Sequence, residues 1–195
     1  MHGESGGPQT ALSRAYDNLE MMNLLLSRGA DPKVCPGFIV SLVVGNQREM
    51  VAAVLEAGAV FPEKNIWRVR DPQMMKMLID AGADPNEPEA GQSTLCYMVK
   101  LSKEARKEER EAFHGIIRVL LEEGADINSP DYWERTPLHI ALEENNPDAA
   151  DILLEFNPDL TLKDKDGKTP ADYLGKIRLK ARRASITSAM ESLEG

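Results

Sequence analysis

An all-α solenoid of stacked helix pairs is the fold this sequence predicts, and three observations lead there. A short pattern, apolar residues followed by a helix-ending Gly or, once, Asn, recurs five times along the 195 residues. The best-formed units also carry a helix-start signature, a hydroxyl residue followed by Pro. The composition, 42% hydrophobic and 28% charged, is that of a packed soluble chain. Its longest largely apolar run, residues 38–44, is far shorter than the roughly 20 residues of a membrane span.

The recurring segments run Leu24-Leu25-Leu26 to Gly29-Ala30-Asp31, Ala53-Val54-Leu55 to Gly58-Ala59, Met77-Leu78-Ile79 to Gly82-Ala83-Asp84, Val119-Leu120-Leu121 to Gly124-Ala125-Asp126, and Ile152-Leu153-Leu154 to Asn157-Pro158-Asp159. Their last apolar residues are spaced by 29, 24, 42 and 33 residues. Gly, and after it Asn, accepts the left-handed conformation just past a helix, so each segment reads as a helix end.

The first unit opens at Thr10-Ala11-Leu12-Ser13 behind a glycine-rich lead, and residues 1–8 are expected to be flexible. The second opens at Gly37-Phe38-Ile39-Val40 without a capping hydroxyl, and Asn46-Gln47-Arg48-Glu49 breaks it into two helices. In the third, only residues 65–70 stand where an inner helix belongs, before Asp71-Pro72 starts the outer one. The fourth opens with Ser93-Thr94-Leu95-Cys96 and is long, its charged excess at 100–111 reading as an extension of the inner helix. The fifth is the most regular: Thr136-Pro137-Leu138-His139-Ile140-Ala141 starts one helix and Asn145-Asn146-Pro147-Asp148 breaks to the next. Asp166-Gly167-Lys168-Thr169-Pro170-Ala171 starts a sixth, and residues 175–195 read as a capping helix.

The motif Thr-Pro-Leu-His-x-Ala at 136–141, with the repeated helix–break–helix–Gly-Ala-Asp frame, resembles the ankyrin-repeat family over roughly residues 9–180. The resemblance implies an ankyrin solenoid of antiparallel helix pairs joined by β-turn fingers, with the repeat domain at 9–174. It also implies non-catalytic protein–protein binding through the fingers and the concave inner-helix face.

The net charge of −9 repels phosphate backbones and counts against nucleic acid as a partner. Residues 1–10 hold no apolar stretch and predict no secretory leader, and nothing predicts a membrane partner. Cys35 and Cys96 make neither a disulfide framework nor a metal spacing. The expectation is a monomer, in the cytoplasm or the nucleus, that binds another protein and uses no cofactor and no metal. Within residues 175–195, five basic and two acidic side chains leave +3, which reads either as a solvated cap or as a nuclear-import or nucleic-acid patch.

Individual residues carry paired readings. His139 is a stack-fixing hydrogen-bonding residue before it is a ligand or base, because no nucleophile–carboxylate arrangement accompanies it. His114 reads as partly buried or surface, and His2 completes no zinc site. Cys96 reads as a buried thiol rather than a nucleophile. The methionines Met21, Met22, Met74, Met75 and Met77 read as packing between repeats. The finger before Thr136 carries Tyr132, Trp133 and Arg135 where the next finger carries Lys165, Asp166 and Lys168. Its aromatics are either an anchor for a partner or a lid over the neighbouring finger. Tyr132, Trp133 and Arg135, with Ile140 and Glu143 on the inner helix, form the expected partner surface, and the Lys165 and Asp166 tip is expected to be silent. Trp67, Arg68 and Arg70 line the gap of the short third repeat. That gap is either filled by the long fourth repeat or is a pocket for a planar or acidic ligand. The alternative function, an enzyme or small-ligand protein, rests on that pocket.

Overall fold

The computed structural model describes residues 11–34, 36–61, 66–89 and 91–194. The expected flexible 1–8 segment, His2, the Thr10 cap, Cys35 and Asn65 lie outside the described residues. The helices come in pairs: α1 (Ala11–Arg14) with α2 (Leu19–Ser27), and α3 (Pro36–Val44) with α4 (Arg48–Glu56). A 3-10 turn at Ile66–Arg68 precedes α5 (Pro72–Asp80). Next come α6 (Thr94–Glu104) with α7 (Lys107–Glu122), and α8 (Pro137–Glu143) with α9 (Pro147–Leu154). A 3-10 segment at Pro170–Lys176 and α10 (Lys180–Glu194) follow. Among the described residues, the extended structure consists of a two-residue antiparallel ladder, β1 (Pro88–Glu89) on β2 (Gln92–Ser93), with Pro88 opposite Ser93. The fold is an all-α ankyrin solenoid.

Local chemistry sets the helix boundaries. Asn18, Asp71 and Ser93 each accept a backbone N–H three residues on, at 2.8, 2.8 and 3.1 Å. These bonds satisfy donors that a helix start would otherwise leave orphaned. At the other end, Gly124 has φ of 89° and Asn157 takes the same role at 54°. The core runs the length of the stack, because each helix turns one apolar face to its own partner and another to the next repeat. Thus α6 meets α7 and α8, and α7 meets α5 and α9. Gly115 lets α7 lie close to α5, since a Cβ there would sit 3.1 Å from the Pro72 ring.

Polar clasps join the repeats at their edges. The Thr136 N–H donates to His139 Nδ1 at 3.1 Å, so the His139 proton sits on Nε2 and is donated to the Lys168 carbonyl at 3.0 Å, one repeat further on. Burial holds the imidazole pKa below its usual value, which keeps it neutral. His139 therefore fixes the stack, as read from the sequence. Two asparagines do similar work that the sequence reading missed. Asn86 Oδ1 accepts the Asp126 N–H at 2.7 Å, and Asn128 Oδ1 accepts the Asp159 N–H at 2.9 Å. The overlooked signal is the Asp-x-Asn that follows Gly-Ala at 84–86 and 126–128.

Three expectations need correction. The charged excess of the fourth repeat does not lengthen the inner helix alone. The chain breaks at Ala105 and Arg106, and most of the excess extends the outer helix α7 at its start. The helix expected from 175 begins at Lys180, because Thr169 and Pro170 commit the preceding residues to a 3-10 segment. Met21 is 46% exposed, whereas Met22, Met74 and Met75 are buried. It projects from the outer side of the first described pair, where no described residue covers it.

The turn between α7 and α8 is a tight hairpin in which the Asp131 N–H donates to the Arg135 carbonyl at 2.9 Å. The next turn repeats it with Asp164 N–H and the Lys168 carbonyl, also at 2.9 Å. At the fourth residue the first finger holds Glu134 at φ of 60°, where the second has Gly167 at 76°. A side chain there is strained by about 1 kcal/mol. Glu134→Gly is expected to raise stability by about 1 kcal/mol in urea unfolding, against the usual cost of adding Gly. Thr136→Ala removes the cap and one partner of His139. It is expected to lower stability by about 1 to 2 kcal/mol in the same measurement.

Candidate partner-binding site at the fifth finger

The fifth finger is organised by one buried carboxylate. Asp131 Oδ1 accepts the backbone N–H of Trp133 at 2.9 Å and of Arg135 at 3.1 Å, which fixes the turn. Its Oδ2 accepts from the Arg135 guanidinium at 2.7 and 3.1 Å and from the Lys100 ammonium of α6 at 3.2 Å. Burial alone would raise the Asp131 pKa. The Arg135 and Lys100 cations outweigh it and hold the carboxyl below the usual carboxylate range. Burial by itself would likewise lower the Arg135 pKa, and Asp131 together with Glu143 of α8 raises it instead.

With the backbone held in this way, Tyr132 and Trp133 point outward, 67% and 53% exposed. Their rings meet edge to face at 5.6 Å. Cations surround them: Arg135 lies 4.9 Å and Lys100 5.5 Å from the Trp133 ring, and Lys165 lies 4.1 Å from the Tyr132 ring. The Lys165 N–H also donates to the Trp133 carbonyl at 3.0 Å, tying the two fingers together. Between them lies a concavity of about 250 Å³ lined by Trp133, Arg135, Glu143, Lys165, Asp166 and Tyr173. The Tyr173 hydroxyl donates to Asp164 at 2.5 Å on its inner side.

The structure thus brings Tyr132, Trp133, Arg135 and Glu143 together. It separates Ile140 from them: this residue is 0% exposed and cannot touch a partner. Helix α8 is clamped between α6 and the 3-10 segment of the next repeat, and Glu143 is its half-buried exception. Lys165, expected to be a silent tip, lies with its side chain on the Tyr132 ring and its backbone N–H on the Trp133 carbonyl.

At the third repeat, the gap is occupied by rings from the long fourth repeat. Trp67 meets Tyr97 of α6 edge to face at 5.7 Å, and Arg70 lies 5.6 Å from the Phe113 ring of α7. Arg70 also donates to the Trp67 and Val69 carbonyls at 2.8 and 2.9 Å, and Arg68 lies over Trp67 at 4.5 Å. These cations are engaged by the fold itself.

The remaining candidates resolve simply. The Cys96 thiol is buried 3.3 Å from the Ser129 carbonyl, and burial pushes its pKa to about 12, so it is no nucleophile at neutral pH. His114 lies in the middle of α7, half-buried, with burial lowering its pKa. Among the described residues, no cluster of three His, Cys, Asp or Glu side chains is arranged to hold a metal, and no helix is long and apolar enough to cross a membrane.

A family model described as ankyrin repeats (many copies) matches residues 120–174. Over 100 residues the chain is 31% identical to ankyrin repeat and SOCS box protein 5 of Mus musculus and 29% identical to that of Oryctolagus cuniculus. Each match covers 51% of this chain and 27% of the relative. The chain is also 43% identical over 61 residues to the BTB/POZ domain and ankyrin repeat-containing protein NBCL of Lotus japonicus, covering 30% of this chain and 13% of that protein. The chain therefore spans about a quarter or less of the length of these relatives. Repeat chemistry, helix-pair stacking and these matches agree: residues 120–174 match ankyrin repeats, and the chain is similar to ankyrin-repeat proteins.

Proposed function

We propose that this chain is a non-catalytic scaffold or adaptor that binds another protein through its fifth finger and the concave surface beside it. The observation that carries this reading is the Tyr132–Trp133 pair, held outward by Asp131 at the mouth of the inter-finger concavity. Large aromatic faces left in water are where interfaces place their strongest contacts, and Arg135 and Glu143 supply a polar rim. The names of the relatives pair ankyrin repeats with a SOCS box or a BTB/POZ domain, which fits an adaptor role. The proposed protomer is a monomer in the cytoplasm or nucleus, in keeping with a reduced Cys96. The surface needs no cofactor, and nothing in it calls for a membrane or nucleic acid.

The test is capture of partners on the wild-type chain and on Trp133→Ala, followed by titration of any protein the variant loses. Trp133→Ala is expected to weaken binding by about 2 kcal/mol, roughly thirtyfold, with little change in melting temperature. A lower melting temperature with unchanged affinity would show that the ring serves packing instead. The depressed Asp131 pKa gives a second expectation. Its clamp contributes fully above the ordinary carboxylate pKa near 4 and is lost as pH falls through the lower folded value. Trp133 emission is expected to change on acidification below about pH 4, and Asp131→Asn is expected to abolish that change.

A further inference from the structure

The basic run near the end of the chain does two different jobs. Arg182 reaches across to α9, where it pairs with Asp148 and, at 2.7 Å, with Asp151. Arg183 turns back and donates to the Ile177 carbonyl at 2.9 Å and the Gly175 carbonyl at 3.3 Å. Both side chains are half-buried, and Ile186 is fully buried beneath them. Between them sits Ser185, which is exposed and whose hydroxyl meets no hydrogen-bond partner among the described residues. The neighbouring hydroxyl of Thr187, by contrast, is taken up by the Arg183 carbonyl at 2.9 Å.

The order Arg182-Arg183-Ala184-Ser185-Ile186 places two guanidinium groups three and two residues before an acceptor hydroxyl and an aliphatic side chain just after it. That arrangement suits a serine/threonine kinase whose acidic cleft reads arginines ahead of the serine and whose apolar pocket reads the next side chain. We infer that Ser185 is a phosphoacceptor for a basic-directed protein kinase, and that its phosphorylation loosens the α10 cap from α9. In the transfer, Ser185 Oγ attacks the γ-phosphorus of ATP and forms a new O–P bond. The bond to the β,γ-bridging oxygen breaks, ADP leaves, and the hydroxyl proton passes to the kinase's catalytic carboxylate.

The consequence follows from charge. A phosphoserine carries close to two negative charges and prefers guanidinium partners. Arg182 lies one helical turn before Ser185, at i−3, where side chains on a helix meet. A phosphate there competes for the cation that neutralises Asp148 and Asp151. Burial already raises the Asp151 pKa, and the Asp148 and Glu155 carboxylates add to it, so this acidic ridge relies on Arg182. The kinase must also find its segment open, since Arg183 and Ile186 are engaged in the closed cap. Among the described residues helix α10 packs mainly on α9 and the 3-10 segment, and an element with few packed neighbours opens at low cost. The site therefore reports on an opened cap and, once modified, resists its closing.

The experiment incubates the full chain with MgATP and the catalytic subunit of a basic-directed kinase, with the modified residue mapped by mass spectrometry. Phosphate is expected at Ser185 and is expected to be absent in Ser185→Ala. Met190→Ala, which empties part of the α10 contact and leaves the sequence of residues 182–186 intact, is expected to speed incorporation roughly tenfold. In the phosphorylated chain, amide exchange across 180–194 is expected to rise severalfold while that of α8 stays unchanged. No incorporation into either the wild type or Met190→Ala, or incorporation that survives Ser185→Ala, would overturn the acceptor assignment. Phosphate at Ser185 with unaltered exchange in α10 would overturn the loosening of the cap.

Discussion

No helix pair in this chain can bury both of its apolar faces by itself, and the whole structure is arranged around that constraint. Helix α8 makes it plain. Six of its seven residues are buried, and they are buried by α6 on one side and the 3-10 segment on the other. Stability in such a stack is a sum of local and neighbour terms, so the joints between units matter as much as the units. The polar joints between units find their partners across the stack. His139 crosses one, Asn146 crosses another by donating to Ser102 Oγ at 2.8 Å, and Asn86 and Asn128 hold the outer edge.

The same constraint explains how the stack absorbs irregular units. The third repeat replaces an inner helix by a single 3-10 turn, which would leave the next repeat facing a hole. The fourth repeat supplies the missing apolar surface with Tyr97 and Phe113, and its outer helix grows to sixteen residues. Shortage and excess cancel across one joint, and the later repeats continue in register.

Much of this was legible in the residues. Gly and Asn at helix ends, Thr-Pro at helix starts and the spacing of apolar triplets fixed most boundaries, because each reports backbone chemistry that a neighbour cannot override. The break at Ala105–Arg106 was not legible, since neither residue is a helix breaker and the helix turns there for tertiary reasons. Ile140 was misplaced because the motif shows that a helix starts, not which of its faces the next repeat covers. The exposure of Tyr132 and Trp133 could be anticipated from their place in the finger. Of the cations around them, Arg135 belongs to the same finger and was legible there, whereas Lys100 and Lys165 come from separate elements and leave no local pattern to read.

The backbone bond from Lys165 to Trp133 makes the two fingers a single short ribbon rather than two independent loops. A partner docking on the aromatics meets a surface whose conformational entropy was surrendered when the chain folded, and so owes little for ordering it. The gain of such a surface falls mainly on residence time, because rigid contacts slow departure more than they hasten encounter. It also narrows the range of partners: a ribbon pinned at both fingers can select shapes but has little freedom to adapt to them.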